Sequence, residues 1–224
     1  MKKLVFALCF LSLSAFAQDD TEVQDSLKSK KPKVEFAWGI NFIQNDNFAL
    51  NEKLNNAGIS SLNNNLLEWV MGFDVMGEKT SGALDFGFAY GKNDNATSEA
   101  KQYTFSLRGR YHYNFLNTEK AAITAGGGLT YATSQVDIFT KGNTYDLDNL
   151  NLASGNHLDI RNNMLYAGPS LAVYVFRDKW FSLRLNAGYE FALTNGKYKS
   201  DFASISNPVK ESGNNRFVFG ISLL

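Results

Sequence analysis

From Val34 onward, apolar side chains return at every second position, and a period of two puts successive side chains on opposite faces of an extended strand. Val34, Phe36, Trp38, Ile40 and Phe42 make the first such run, and Leu67, Trp69, Met71, Phe73 and Val75 the second. Leu84, Phe86, Phe88 and Tyr90 form a third. The fourth is the most regular: Tyr103, Phe105, Leu107, Tyr111, Tyr113 and Phe115 alternate with Thr104, Ser106, Arg108, Arg110, His112 and Asn114. Ile123, Ala125, Leu129 and Tyr131 mark a fifth run, and Leu165, Leu171, Val173 and Val175 a sixth. Phe181, Leu183, Leu185, Tyr189, Phe191 and Leu193 mark a seventh, and Phe217, Phe219, Ile221 and Leu223 an eighth. Each is about ten residues long, the length a tilted strand needs to cross a bilayer's hydrocarbon.

The links between runs are polar and of two kinds. Residues 45–65, 92–101, 141–163 and 194–215 read as long connections, and 77–82, 117–120 and 177–179 as short ones, in strict alternation. This asymmetry predicts an all-β, eight-stranded antiparallel transmembrane up-and-down β-barrel, with long loops outside the cell and short turns and both termini on the periplasmic side. Pro169 strains the pattern, because proline cannot donate to a strand ladder; Gly168 and Pro169 suggest either a bulge or a later start of the sixth strand. The run Gly126-Gly127-Gly128 lacks the Gly-Lys-Ser/Thr of a phosphate loop and suits a sharply curved strand.

In such a barrel Phe36, Trp38, Trp69, Phe86, Phe105, Tyr113, Phe191 and Phe219 face lipid. Trp180, Tyr90, Phe115 and Tyr189, with Trp38, Trp69 and Tyr113, suit the headgroup zone, although aromatic residues also favour strands in general. The alternate positions point inward, and they carry Glu68, Asp74, Asp85, Arg108, Arg110, Arg184, Glu190 and Arg216, with His112 and Asn186. Four carboxylates then meet four guanidiniums in a space that eight strands leave just wide enough for side chains. Buried charges are costly unless paired, so the parity predicts a packed ionic lumen. The competing reading is a narrow ion pore. Counting about a turn near Lys79 and Thr80 sets Asp74 opposite Asp85, with Arg110, or Arg108 as a second candidate, as the compensating cation, and the expected register of strands seven and eight sets Arg216 beside Glu190.

The first residues change the cellular picture. Lys2 and Lys3, the apolar stretch 4–13 and Ala15-Phe16-Ala17 read as a signal peptide (residues 1–17) cleaved after Ala17. No later stretch is long and apolar enough to form a spanning helix. Residues 18–33 are charge-dense and read as a flexible periplasmic tail, leaving 34–224 for the barrel. The one cysteine, Cys9, falls in the apolar stretch of the signal, so the mature chain has no thiol for a disulfide or a metal. Lys+Arg and Asp+Glu both number 22, which offers no basic field for nucleic acid. Neither a cofactor nor a metal site is indicated. Asp146, Asp148 and Asn151 lack the spacing and glycine of a calcium loop. His157, placed in the third long loop with Asp159 nearby, is the one outward candidate for acid–base chemistry, and no activated serine or carboxylate pair stands beside it. Phe48, Leu50, Tyr145, Leu147, Leu150 and Phe202 either present apolar anchors to a partner or pack over the barrel mouth.

Given the signal, the alternating runs and phrases such as Ala167-Gly-Pro-Ser-Leu-Ala-Val173 and Phe181-Ser-Leu-Arg-Leu-Asn-Ala-Gly-Tyr-Glu190, the chain resembles the small outer-membrane β-barrel family that includes OmpA-like and PorT-like proteins. The resemblance spans the chain after Val34. It implies an outer-membrane location, contact with outer-membrane lipid and insertion by the barrel-assembly machinery, which reads an alternating last strand with a terminal aromatic; here the chain ends Gly220-Ile-Ser-Leu-Leu224, keeping the alternation without the aromatic. The reading is a non-enzymatic envelope protein that is structural or binds an envelope partner through its loops. The PorT-like side of the resemblance implies instead an accessory of a secretion or gliding apparatus, and a small outer-membrane enzyme at His157 is the third possibility.

Overall fold

The structure, a computed structural model, describes residues 32–142, 157–206, 208–211 and 213–224. Eight strands form its ring: β1 (Lys33–Asn45), β2 (Asn65–Met76), β3 (Thr80–Asp94), β4 (Ser98–Asn117), β5 (Ala121–Thr140), β6 (His157–Val175), β7 (Leu183–Ala192) and β10 (Arg216–Leu223). Each is antiparallel to its neighbours, and β10 closes onto β1 with Trp38 opposite Leu223 and Asn45 opposite Arg216. Closure leaves no free edge around the ring, so the backbone groups are satisfied strand to strand. A short helix, α1 (Ala49–Asn56), follows β1, and a two-stranded ribbon of β8 (Gly196–Lys197) and β9 (Lys210–Glu211) lies between β7 and β10.

The period of two in the sequence becomes an inside and an outside. Phe36, Trp38, Trp69, Phe86, Phe105, Tyr113, Phe191 and Phe219 are all exposed on the outer surface, as are Ile40, Met71, Phe73 and Leu129 around the same band. Many of these rings meet on neighbouring strands, Phe88 with Phe105 at 5.0 Å and Tyr90 with Tyr103 at 5.2 Å between centroids. Such cross-strand aromatic pairs stabilise a sheet from its outer face.

The links depart from the expected alternation at one place. Residues 92–101 form no long loop: β3 and β4 continue through Lys92↔Lys101 and Asp94↔Glu99, and the turn is only 95–97. Asn95 closes it, its side-chain oxygen accepting the N–H groups of Thr97 at 2.9 Å and Ser98 at 2.8 Å. Likewise β6 starts at His157, so His157 stands on a strand opposite Phe139 and not within the loop. Where a strand rises past the apolar band, its outer face meets water, and polar residues there erase the period-two signal while the ladder continues. Lys92 and Lys101 would repel across that ladder, but Glu99 lies 2.8 Å from one ammonium and 2.9 Å from the other.

The Lys92 hydrogen bond, joined by that of Lys101, lowers the Glu99 carboxyl to about 2. A depressed carboxylate contributes stability above its ordinary pKa of 4.5 and loses it as pH falls towards about 2. Amide-exchange protection across residues 92–101, corrected for intrinsic rates, is expected to decline through that window. Protection that stays flat down to about pH 2 would contradict the bridge.

Two further details of register differ from expectation. Asp74 pairs with Ala83 and Asp85 with Gly72, so the two carboxylates are offset by two residues and lie diagonally. The turn centres between Glu78 and Lys79, closed by the Gly77 N–H donating to Thr80 O at 2.9 Å, one residue earlier than the count from Lys79 and Thr80. At Pro169, β6 runs on without a restart. Its pairing with β7 is interrupted at Gly168 and Pro169 yet resumes in the same register, Ala167↔Phe191 before the gap and Ser170↔Gly188 after it. Gly126, Gly127 and Gly128 lie in mid-strand on β5, against His112, Tyr111 and Arg110 of β4.

Candidate functional site

The interior is layered along the barrel axis. At the short-turn end, Met76, Ala122, Ala172 and Tyr174 form an apolar floor with Leu224 against it. Above the floor come the eight inward charges, and above them two small apolar groups, Ile43, Leu66, Ala89 and Val218, and Ala132, Met164 and Tyr166.

Strand parity sorts the charges into two levels. Glu68 and Asp74 on β2 face the same way six residues apart, as do Arg184 and Glu190 on β7, so each strand contributes one charge to each level. Arg108 and Arg110 on β4 are two apart and also serve successive levels. Asp85 of β3 completes the lower level and Arg216 of β10 the upper one.

In the lower tetrad, Arg184 donates through Nη1 to Asp74 at 2.5 Å and through Nη2 to Asp85 at 3.0 Å, while Arg110 Nη2 lies 2.6 Å from the other Asp85 oxygen. The Tyr174 hydroxyl donates to Asp74 at 2.8 Å, and Arg184 also reaches Ser222 at 3.1 Å. In the upper tetrad, Arg108 donates through Nη1 to Glu68 at 3.0 Å and through Nε to Glu190 at 2.9 Å, and Arg216 Nε donates to the second Glu190 oxygen at 2.6 Å. Asn41 at 2.7 Å and the Ser106 hydroxyl donate to Glu68, and Thr130 at 2.6 Å donates to Glu190. The Arg216 guanidinium also stacks 3.9 Å over the Tyr166 ring.

Each tetrad is thus a chain of alternating sign, carboxylate and guanidinium in turn, with no net charge. All eight residues are buried. Charges taken out of water are tolerated when every one has an opposite partner in good geometry. Small residues make the room: a side chain at Gly87 would run into the Glu68 carboxylate and the Ser106 hydroxyl, so the close approach requires glycine there. A small cavity lies between the tetrads, bordered by Arg108, Arg110, Ser170 and Asn186, and offers the centre of a water molecule about 10 Å³. That is space for about one water.

Sequence reasoning placed Arg110 with the aspartates and Arg216 with Glu190. It also offered Arg108 to the aspartates, whereas Arg108 links Glu68 to Glu190, and it missed that Arg184 reaches both aspartates. Its inward parity gave Arg184 the right face, but the partners are 110 and 99 residues away in sequence, on strands that face β7 across the ring. Only a three-dimensional register connects them.

The loop end is covered by a lid. Phe48, Leu50, Leu54 and Leu62 from the β1–β2 connection and Tyr198 from the β7–β10 connection bury together against Ala100, Val136, Ile138 and Ile160 of the tall strands β4, β5 and β6. Of the two readings for the apolar loop residues, Phe48 and Leu50, each 6 % exposed, pack over the mouth, whereas Phe202 is 82 % exposed. Glu211 of β9, 1 % exposed, accepts the N–H of Ala49 at 2.8 Å and of Leu50 at 3.1 Å. Burial raises the Tyr198 phenol well above its ordinary pKa, and the neighbouring Glu211 carboxylate, to which it hydrogen-bonds, adds to this.

The two histidines occupy plain surroundings. His112 is buried on the inner face, with Nδ1 2.8 Å from the Thr124 hydroxyl and Nε2 2.6 Å from that of Ser170. His157 stacks on Phe139 at 4.4 Å and lies 3.4 Å from Asp137, while Asp159 leans towards Arg161 at 3.7 Å. No group of metal-ligating side chains gathers among the described residues. The expected signal peptide, most of the expected tail, and Tyr145, Asp146, Leu147, Asp148, Leu150 and Asn151 lie outside the described residues.

No protein-family model matches the chain, and no curated protein matches it. Among solved structures it is similar to Neisserial surface protein A (NspA), at 8 % identity over 87 % of this chain and 97 % of that one, with a TM-score of 0.49. It is also similar to the outer membrane protein OprG from Pseudomonas aeruginosa, at 11 % identity over 88 % and 97 % of the two chains, again with a TM-score of 0.49. The fold itself rests on the closed ring of strand pairings described above.

Proposed function

We propose that the protein is a non-enzymatic integral outer-membrane barrel whose lumen is sealed and whose contribution to the envelope is structural or made through its loop-end surface. The observation that carries this reading is the pairing of an apolar outer band with a lumen in which each of the eight charges of the two tetrads has an opposite partner. An exterior of exposed Phe, Trp, Leu and Met around a closed ring suits hydrocarbon far better than water. Residues 1–17 export the chain, the barrel-assembly machinery inserts it, outer-membrane lipid surrounds the band, and the long connections face outwards. Exposed Phe202 is the described apolar residue most available there to an envelope partner.

The sealed lumen is tested by planar-bilayer recording of the purified protein. The expected result is no steady conductance above the bare bilayer at voltages that open general porins. A large, persistent conductance would remove the packed lumen and favour the pore.

A further inference from the structure

The lid is built differently from the barrel beneath it. None of its residues contributes a strand to the ring, and its own backbone pairing is the two-residue ribbon of β8 and β9. On the β1–β2 side its ties to the wall are single bonds, Ser60 N–H to the Ser98 hydroxyl at 2.9 Å, Asn93 to Ser61 O at 3.0 Å and Asn95 to Gly58 O at 3.1 Å; on the ribbon side β6 holds it by a two-bond bridge between Arg161 and Lys199 at 2.7 and 2.9 Å, an Arg161–Asp201 ion pair at 2.9 Å and the Gly196 N–H on Met164 Sδ at 3.1 Å.

Helix α1 cannot stand by itself. It has 8 residues, its N-cap is Phe48, and no side chain of its own segment caps it. Isolated helices of that length are unstable in water, and uncapped first-turn N–H groups weaken them further. The acceptor that satisfies Ala49 and Leu50 comes instead from Glu211, about 160 residues away on the other connection. Glu211 makes no ion pair among the described residues, although it is almost wholly buried. A buried carboxylate without a cation is tolerated only while its donors stay in place, so the cap and the helix depend on each other.

We propose that α1 and the β8–β9 ribbon form a releasable lid over the loop-end mouth, with Glu211 as its latch. The two connections close together or not at all: withdrawing β9 removes the cap of α1, α1 unwinds, and Phe48, Leu50 and Leu54 leave the inner wall of β4, β5 and β6. Opening uncovers an apolar mouth above the upper tetrad while the strand ring below stays intact. The lid therefore controls access to the mouth independently of what the outer surface binds.

The mature chain without Cys9 offers a clean background for a single thiol. Ile138→Cys reports from beneath the lid and Phe202→Cys from the exposed loop. In lipid vesicles, with a water-soluble maleimide, the rate for Ile138→Cys relative to Phe202→Cys is expected to rise about tenfold when Glu211→Gln is added, the scale of losing a helix cap. Migration of the folded barrel on unheated gels should be unchanged. An unchanged ratio, or a rise that appears only when the folded barrel is lost, would overturn the proposal. Hydrogen exchange on the unsubstituted protein supplies the second test. Amides of α1 and of β8–β9 should exchange at one shared rate, well ahead of β4 and β5; protection of α1 equal to that of the barrel strands would also overturn it.

Discussion

Replacing Arg184 with methionine should cost the barrel about 3–5 kcal/mol of stability, the penalty for leaving buried opposite charges without their partner. Arg184 is 0 % exposed and is the only residue of the lower tetrad that touches both Asp74 and Asp85. Without it, Asp74 keeps the Tyr174 hydroxyl but loses its cation, and Asp85 keeps Arg110 alone. The cost belongs to the stranded charge and not to the size of the new side chain. Adding Asp74→Asn to the methionine variant should therefore restore much of the loss. Urea unfolding in lipid vesicles, followed by tryptophan fluorescence, gives both numbers. A single variant as stable as the parent would show that the tetrad contributes nothing, and a double variant no better than the single would assign the cost to packing.

On the outer face, Phe86→Arg should cost about 2–4 kcal/mol, the penalty for a cation at the bilayer midplane on the lipid side of a barrel. Phe86 sits in mid-strand between Met71 and Leu107, with no polar neighbour of either strand on that face. Arginine at the outer edge of the band, in place of Tyr90, should cost about 0–1 kcal/mol, because there the side chain reaches the headgroups. The difference between the two positions, read from the same unfolding experiment, measures depth directly. Equal costs would mean that no hydrocarbon surrounds the band.

The parts of this architecture that were readable in the sequence are those fixed by a local period. Outward residues such as Phe36, Trp69 and Phe219 and inward ones such as Glu68 and Arg216 follow from counting by two once a single strand is placed. Register was less readable. The β2–β3 turn was misplaced by one residue, which moves a cross-strand partner by two and keeps its face, so Asp74 met Ala83 and not Asp85 while still pointing inward. Long-range partners were least readable: nothing near Arg184 in the chain announces Asp74, because the curvature that brings them together belongs to the whole ring.

Outside the band, the local signal fails for a physical reason. At the tops of β3 and β4 the outer face is solvated, while on the inner face Ser98 and Gln102 are buried but polar, so residues such as Lys92, Asp94 and Glu99 look like loop although they are strand. The spacing of Leu50 and Leu54, one helical turn apart, was the available hint of α1. It was too short to stand out, and the residue that caps the helix lies on a different connection.

In this barrel the odd-numbered positions of β2 face lipid while their neighbours face the lumen. Site-directed spin labelling in lipid bilayers tests this most directly, with a nitroxide carried in turn on Trp69→Cys, Val70→Cys, Met71→Cys and Phe73→Cys. Frequent collisions with oxygen and few with a water-soluble nickel chelate are expected at positions 69, 71 and 73, and few with either at position 70. Nickel collisions matching those of oxygen at the outward positions, or four positions that behave alike, would contradict it.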